Sequence, residues 1–307
     1  MEILVCGEAL VNLVPPADGG GAAISVPGGS PFNVAVGLAR LGVNTGFLGK
    51  ISTDSHGAML RTRLQENGVD VRFVVDTPRS TTTAAVSFRD GTEPEYVFTI
   101  EGSADRSLLT AEIPESLSSE VRAVHFGSYS LVLEPTASAL NALMRVAASD
   151  RVVSLDPNVR PLLISSQEGY RKSFDRWCGL SDIVKLSVAD AAFIAPSRSA
   201  TDLAQDALER GASLVVVTRG AGGADAYTKR HKTEASGEPV DVVDTVGAGD
   251  AFTSGLLASL HEMGALQKGS IEMLDASTVE AALHFAVHAS AYTCGRAGAD
   301  PPDQEML

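Results

Sequence analysis

The sequence predicts an α/β protein with a doubly wound, mostly parallel sheet and a small inserted β-sheet, and three observations carry that expectation. Short continuous apolar runs such as Ile3-Leu4-Val5-Cys6 lack the polar alternation of a half-exposed strand, so they read as strands buried on both faces. These runs alternate with longer amphipathic stretches, which is the order of βαβ units. Between residues 72 and 103 the alternation gives way to β-rich chain, which reads as a hairpin inserted into the α/β frame.

Taken in order, the first strand ends at Gly7 and leaves Glu8 and Asn12 beyond its carboxyl end. The Gly/Pro-rich stretch 15–29 is loop or irregular β edge. Ser30 as N-cap, Pro31 as first helical residue and Gly42 past the end bracket a helix carrying Phe32, Val36, Ala39 and Leu41, with Gly28, Gly29 and Asn33 at its mouth. Residues 45–51 form the next strand and 54–67 a helix stopped by Gly68. In the insertion, 81–88 and 96–100 flank a turn at Asp90-Gly91. Strands follow at 123–127, 152–156, 183–187 and 214–218, with helices at 135–149, 167–179 and 203–210. Residues 224–227 and 240–243 read as further short strands, and helices at 248–263 and 277–294 end the sequence. The chain is therefore expected to be one α/β domain, 1–307, whose β insertion is formed by about residues 12–27 and 72–103.

With 307 residues, 44% of them hydrophobic and 20% charged, the chain can bury a large core. A net charge of −14 argues against nucleic acid or an anionic membrane surface as partner and favours a small neutral ligand, or one carried in with a cation. No apolar run approaches the ~20 residues that span a bilayer. Met1-Glu2-Ile3 starts on a strand without a basic leader, so the expected location is cytoplasmic. Cys6, Cys178 and Cys294 fit reduced thiols rather than disulfides.

Ligands of open α/β sheets bind at the carboxyl ends of strands. Polar clusters stand there: Glu8 and Asn12, Asp156-Pro157-Asn158-Val159-Arg160, Lys185-Leu186-Ser187, Thr218-Arg219-Gly220, and Asp244-Thr245-Val246-Gly247-Ala248-Gly249-Asp250. In the last, Gly247 and Gly249 let the backbone turn sharply, and the apolar helix behind them offers free N-terminal amides to an anion. Asp250 beside such a site is either a helix-starting residue or a base awaiting a hydroxyl proton. The chain has no Gly-x-x-x-x-Gly-Lys-Ser/Thr, no Gly-x-Gly-x-x-Gly opening a βαβ unit, and no His-Arg-Asp with a downstream Asp-Phe-Gly. His284 and His288, four apart on a helix, lack the adjacent Glu or Cys partner of a zinc site.

Asp244 to Phe252, taken with Pro27-Gly28-Gly29-Ser30-Pro31-Phe32-Asn33-Val34-Ala35, resembles the paired signatures of the ribokinase-like (PfkB) carbohydrate kinases. The likeness extends to Val5-Cys6-Gly7-Glu8, the inserted β-lid, Asp156-Pro157-Asn158 and Thr218-x-Gly220. Gly7-Glu8-Ala9-Leu10, Ala104-Asp105 and His125-Phe126-Gly127-Ser128 look most like bacterial fructokinases. The resemblance implies transfer of the γ-phosphate of ATP to a primary hydroxyl of a small sugar, most like fructose, with Mg²⁺ bridging the β and γ oxygens. By position, Asp250 matches the catalytic base and Gly247, Ala248 and Gly249 the anion hole. Gly28, Gly29 and Asn33 match the sugar mouth, with Asn12 where the family usually has an aspartate, Phe98 from the lid and Arg160 as further sugar contacts. Asn158, Lys185, Thr218, Gly220 and His288 fall on the nucleotide side, and Asp190 matches a residue acting on magnesium through water.

Alternatives stay open for several of these: a turn residue at Asn12, a surface cation at Arg160, a helix cap at Asp190 and a satisfied histidine at His288. The stretch Cys294-Gly295-Arg296-Ala297-Gly298-Ala299 resembles a loop that binds a monovalent cation such as K⁺. Ser52-Thr53-Asp54-Ser55-His56-Gly57 keeps only Asp54 and Gly57 of a related Gly-Asp-Asp-x-x-Gly turn. A homodimer joined through the lids is also expected. Rival readings are a 2-keto-3-deoxygluconate kinase, a ribose or nucleoside kinase, a sugar sensor without turnover, and a dinucleotide-dependent dehydrogenase.

Overall fold

The computed structural model describes residues 1–15, 22–88 and 94–307. Its strands and helices alternate as expected. In chain order they are β1 (Ile3–Cys6), β2 (Leu10–Val14), β3 (Ile24–Gly28), α1 (Ser30–Arg40), β4 (Thr45–Ser52), α2 (Ser55–Glu66), β5 (Asp70–Thr77), β6 (Thr83–Phe88) and β7 (Pro94–Thr99). There follow β8 (Ala123–Gly127), α3 (Thr136–Ala147), β9 (Val152–Asp156), α4 (Gln167–Cys178), β10 (Ile183–Ser187), α5 (Val188–Ile194), α6 (Ala200–Arg210) and β11 (Leu214–Thr218). β12 (Ala224–Tyr227), β13 (Lys232–Ala235), α7 (Ala248–Glu262) and α8 (Ala276–Cys294) complete the set.

The large sheet runs β13-β12-β11-β10-β9-β8-β1-β4-β5, parallel from β11 to β5 and antiparallel at β12 and β13. Its inner strands, from β11 to β4, bury both faces, as their continuous apolar runs require, while the edge strands β5 and β13 are partly exposed. Ile3 and Val5 of β1 enter one core with α1, α2, α7 and α8, while Leu4 and Cys6 enter a second core with α3, α4, α5 and α6. From β1 the chain order moves one way through β4 and β5 and the other way through β8, so β1 marks the topological switch point where a crevice opens. A separate small sheet, β3-β2-β6-β7, stands over that end.

Three expectations shift. Residues 72–77 belong to the large sheet, because β5 pairs with β4 in register Leu48↔Phe73 through Ser52↔Thr77 and its side chains reach both cores. Residues 240–243 form no strand: Val242 and Val243 are exposed, and the Val243 and Asp244 amides donate to the Cys294 carbonyl instead. The strand that pairs with β12 is β13, just upstream. Ser30 is the first helical residue rather than the cap; Gly29, at φ 110, takes the cap position. The turn at Asp90-Gly91 lies outside the described residues. Among those described, no helix is long and apolar enough to cross a membrane.

Candidate active site

A cavity of about 480 Å³ opens at the switch point, lined from the large sheet side by Glu8, Ser30, Asn33, Tyr129, Asn158, Arg160 and Asp250, and from the small sheet by Leu10, Asn12, Ala84 and Phe98. The carboxyl ends of β1, β8 and β9 and the mouths of α1 and α7 supply these residues. A larger groove of about 660 Å³ between α3 and α4 contains none of the residues singled out in the sequence.

The mouth of α7 explains its own shape. Gly247 caps it in the left-handed region at φ 79, where a Cβ would meet Ala299 at 2.5 Å, so only glycine fits. Among the described residues, the N–H groups of Gly247, Gly249 and Asp250 donate to no protein atom, whereas Ala248 N–H reaches the Thr245 carbonyl at 3.3 Å. Three free amides at a helix N-terminus suit an anion. Lys185 lies below them: the Cβ that Gly249 lacks would stand 3.2 Å from its Nζ.

Asp250 is buried in the first turn of α7. Ser30 Oγ donates to its Oδ1 at 2.7 Å, Asn33 Nδ2 to its Oδ2 at 2.8 Å, and Asn158 Nδ2 to Oδ1 at 3.4 Å. Burial pushes its pKa up to about 6, while Asn33 and Ser30 pull it down, Asp156 adds to the rise and Lys185 opposes it. The result is a carboxylate that is ionised at neutral pH and more basic than a solvated aspartate.

Beneath it, Lys185 Nζ pairs with Asp156 Oδ2 at 2.8 Å, both side chains being buried, and Thr253 Oγ1 donates to the same oxygen. The partner's charge raises the lysine above its ordinary value although burial acts against it. Asn158, at φ 34, donates to Ser30 Oγ at 2.7 Å and accepts from Arg160 Nη1 at 2.6 Å, so it ties Arg160 to the surroundings of Asp250. Asn12 projects from β2, and a Cβ on Gly28 would lie 2.3 Å from its Nδ2; the glycine makes room for that amide. Gly29 permits a similar approach to the Glu8 carbonyl. Phe98 packs edge-on against Tyr129 at 6.4 Å.

The structure thus gathers Asp250, Gly247, Gly249, Asn12, Gly29, Asn33, Phe98, Asn158 and Arg160 around one cavity, with Gly28 and Lys185 directly behind it. Thr218, Gly220 and His288 line no part of it. Thr218 ends β11, Gly220 follows it exposed at φ 56, and His288 Nδ1 meets Glu238 at 2.6 Å on the surface of α8. Asp190 fills the capping role. Its Oδ2 accepts from the Ser187 N–H and hydroxyl and its Oδ1 from the Val159 N–H, which leaves Oδ1 one acceptor site for a water. Among the described residues no three His, Cys, Asp or Glu side chains gather as a metal cluster.

Ser30 and Tyr129 are the site residues the sequence reading missed. Ser30 reads as a cap because serine so often caps; the preceding glycine, free to take φ 110, is the signal that the cap sits one residue earlier. Tyr129 follows the carboxyl end of β8, the place where the strand-end rule puts ligands.

A buried carboxylate beside free amides at the switch point of a doubly wound sheet suits phosphoryl transfer to a small molecule, and comparison with known proteins puts the chain among carbohydrate kinases. The family model described as pfkB family carbohydrate kinase matches residues 2–306, and the chain belongs to that family. It is 40% identical over 275 residues to a fructokinase of Rhizobium leguminosarum bv. trifolii, covering 89% of this chain and 84% of the relative. Among solved structures it resembles the ATP-bound fructokinase of Xylella fastidiosa, with a TM-score of 0.90, 30% identity, and 97% and 93% of the two chains covered. It also resembles the fructokinase of Vibrio cholerae O395 in its fructose, ADP and calcium ion bound form, with a TM-score of 0.85, 30% identity, and 97% and 94% covered.

Proposed function

We propose that the protein is an ATP-dependent fructokinase that transfers the γ-phosphoryl group to a primary hydroxyl of the sugar. The observation that carries this reading is the Asp250 carboxylate, buried and held by three donors, in one cavity with the free amides of Gly247 and Gly249 and the polar wall of Asn12, Asn158 and Arg160. Relatives at this level of identity that bear the name fructokinase support the choice of acceptor.

Asp250 takes the proton of the attacking hydroxyl; Ser30, Asn33 and Asn158 hold its oxygens in place. The free amides of the α7 mouth stabilise charge on the transferring group, and Lys185 adds a positive charge behind them. On this reading Thr218, Gly220 and His288, outside the cavity itself, contact the nucleotide. The small sheet acts as a lid: Leu10, Asn12, Ala84 and Phe98 cover the sugar and exclude water. Its edges at β3 and β7 leave Ile24 and Val97 exposed, which supports pairing of two subunits through it. Magnesium neutralises charge on the β and γ oxygens when bound. Asp190 would act on it through a water bound to Oδ1, since among the described residues no three His, Cys, Asp or Glu side chains gather as a direct protein cage, and no step above depends on it.

Arg160, lining the cavity, favours one second reading, a 2-keto-3-deoxygluconate kinase whose substrate carboxylate it would meet. A coupled ADP-release assay over fructose, ribose, 2-keto-3-deoxygluconate and nucleosides separates the two. Highest kcat/KM for fructose is expected; preference for the keto acid moves the acceptor, and inactivity with all of them refutes the kinase.

A further inference from the structure

Position 12 carries an amide where the resemblance implies a carboxylate gripping sugar hydroxyls. Of the described residues lining the cavity only Glu8 and Asp250 are acidic, and Asp250 is engaged by Ser30, Asn33 and Asn158. Glu8 leaves the end of β1 two residues before β2, the strand that bears Asn12, so the two line one cavity from its large-sheet and small-sheet sides.

The Glu8 carboxyl is short of partners. Its side chain is 1% exposed, and the one side-chain hydrogen bond it receives among the described residues comes from Ser130 Oγ. The Tyr129 hydroxyl, next in sequence to Ser130 and lining the same cavity, donates to Asp105 at 2.6 Å rather than to Glu8. The Ser128 hydroxyl, buried and bonded to nothing else, is the one other side-chain donor among the described residues close enough to favour the ionised carboxylate. A carboxylate offers about four acceptor sites, and burying it with some of them empty is costly. Burial accordingly pushes Glu8 up to about 7, against the pull of the Ser130 and Ser128 hydroxyls and with Asp105 adding to the rise. A polyol entering the cavity brings the missing donors.

We propose that Glu8 is the carboxylate that grips the sugar, accepting hydrogen bonds from its hydroxyls from the β1 side while Asn12 meets them from the small sheet. This rests on reading the cavity as a sugar site. It makes Glu8 a specificity-determining contact, with Ser130 as the residue that orients it.

The test compares wild type, Glu8→Gln and Ser130→Ala with fructose and with deoxy-fructoses that each lack one secondary hydroxyl, measuring sugar KM, ATP KM and sugar binding by calorimetry. Glu8→Gln is expected to raise the fructose KM and Kd by about tenfold or more, the scale of a lost charge-assisted contact, with ATP KM within about twofold. The penalty disappears for the analogue that lacks the gripped hydroxyl. Ser130→Ala, which keeps the carboxylate, gives a smaller shift of the same pattern and decides the matter if Glu8→Gln does not fold. Unchanged fructose affinity, or equal losses for every analogue and for ATP, overturns the proposal and makes Glu8 a structural strand-end residue. A wild type that binds sugar without turnover leaves the binding arm valid and refutes only the kinase reading; a wild type that neither binds nor phosphorylates sugar refutes both.

Discussion

Replacing Asp250 by asparagine separates its chemical role from its structural cost. The fold raises this carboxyl from 3.8 to about 6, chiefly by burial. A shift of about two units corresponds to roughly 3 kcal/mol. Because the folded-state value lies above the unfolded one, the folded protein binds more protons between about pH 4 and pH 6. The stability this group contributes is therefore present below that window and lost as pH rises through it, so the ionised carboxylate burdens the fold at neutral pH. Asp250→Asn removes the charge, although Asn33 and Asn158 then present donors to an amide and return part of the gain. At pH 7.5 the variant is expected to melt at or above the wild-type temperature, the difference closing below pH 4, while turnover falls by about 10²-fold or more at unchanged ATP KM. Wild-type kcat should climb with pH through about 6 and then level. Differential scanning fluorimetry and the ADP-release assay across pH measure both sides. Turnover within about tenfold of wild type, or a wild-type kcat flat from about pH 5 to pH 8, refutes Asp250 as the base.

Three further perturbations test the surroundings. Asn12→Asp should change sugar KM and leave ATP KM alone in steady-state kinetics; no change in either returns Asn12 to a turn residue. Gly247→Ala forces φ 79 on an L-residue and drives a Cβ to 2.5 Å from Ala299, so urea unfolding should show a loss of at least about 2 kcal/mol with kcat falling as the amides shift. Lys185→Met strands the buried Asp156 charge and should cost about 3–5 kcal/mol by chemical denaturation, part of it recovered in the Asp156→Asn, Lys185→Met double variant.

What could be read from the chain depended on how local its cause was. The mouth of α7 was legible because Gly247, Gly249 and Asp250 carry their reasons within four residues: a left-handed cap, free amides and an acid in the first turn. The strands buried on both faces were legible for the same reason, since an unbroken apolar run is its own evidence. Residues 240–243 show the converse. Their valines have the composition of a strand, but strand stability comes from cross-strand partners, and β12 had already taken β13. Lys185 could be nominated from its strand end, but its pairing with Asp156 joins positions 29 apart in sequence and was invisible until β9 and β10 lay side by side. Asp190 is the sharpest case. A carboxylate three residues after a strand-end serine satisfies a capping box and a water-mediated metal ligand equally well. The Val159 N–H, 31 residues away in sequence and 2.7 Å away in space, bonds to the second oxygen and favours the cap.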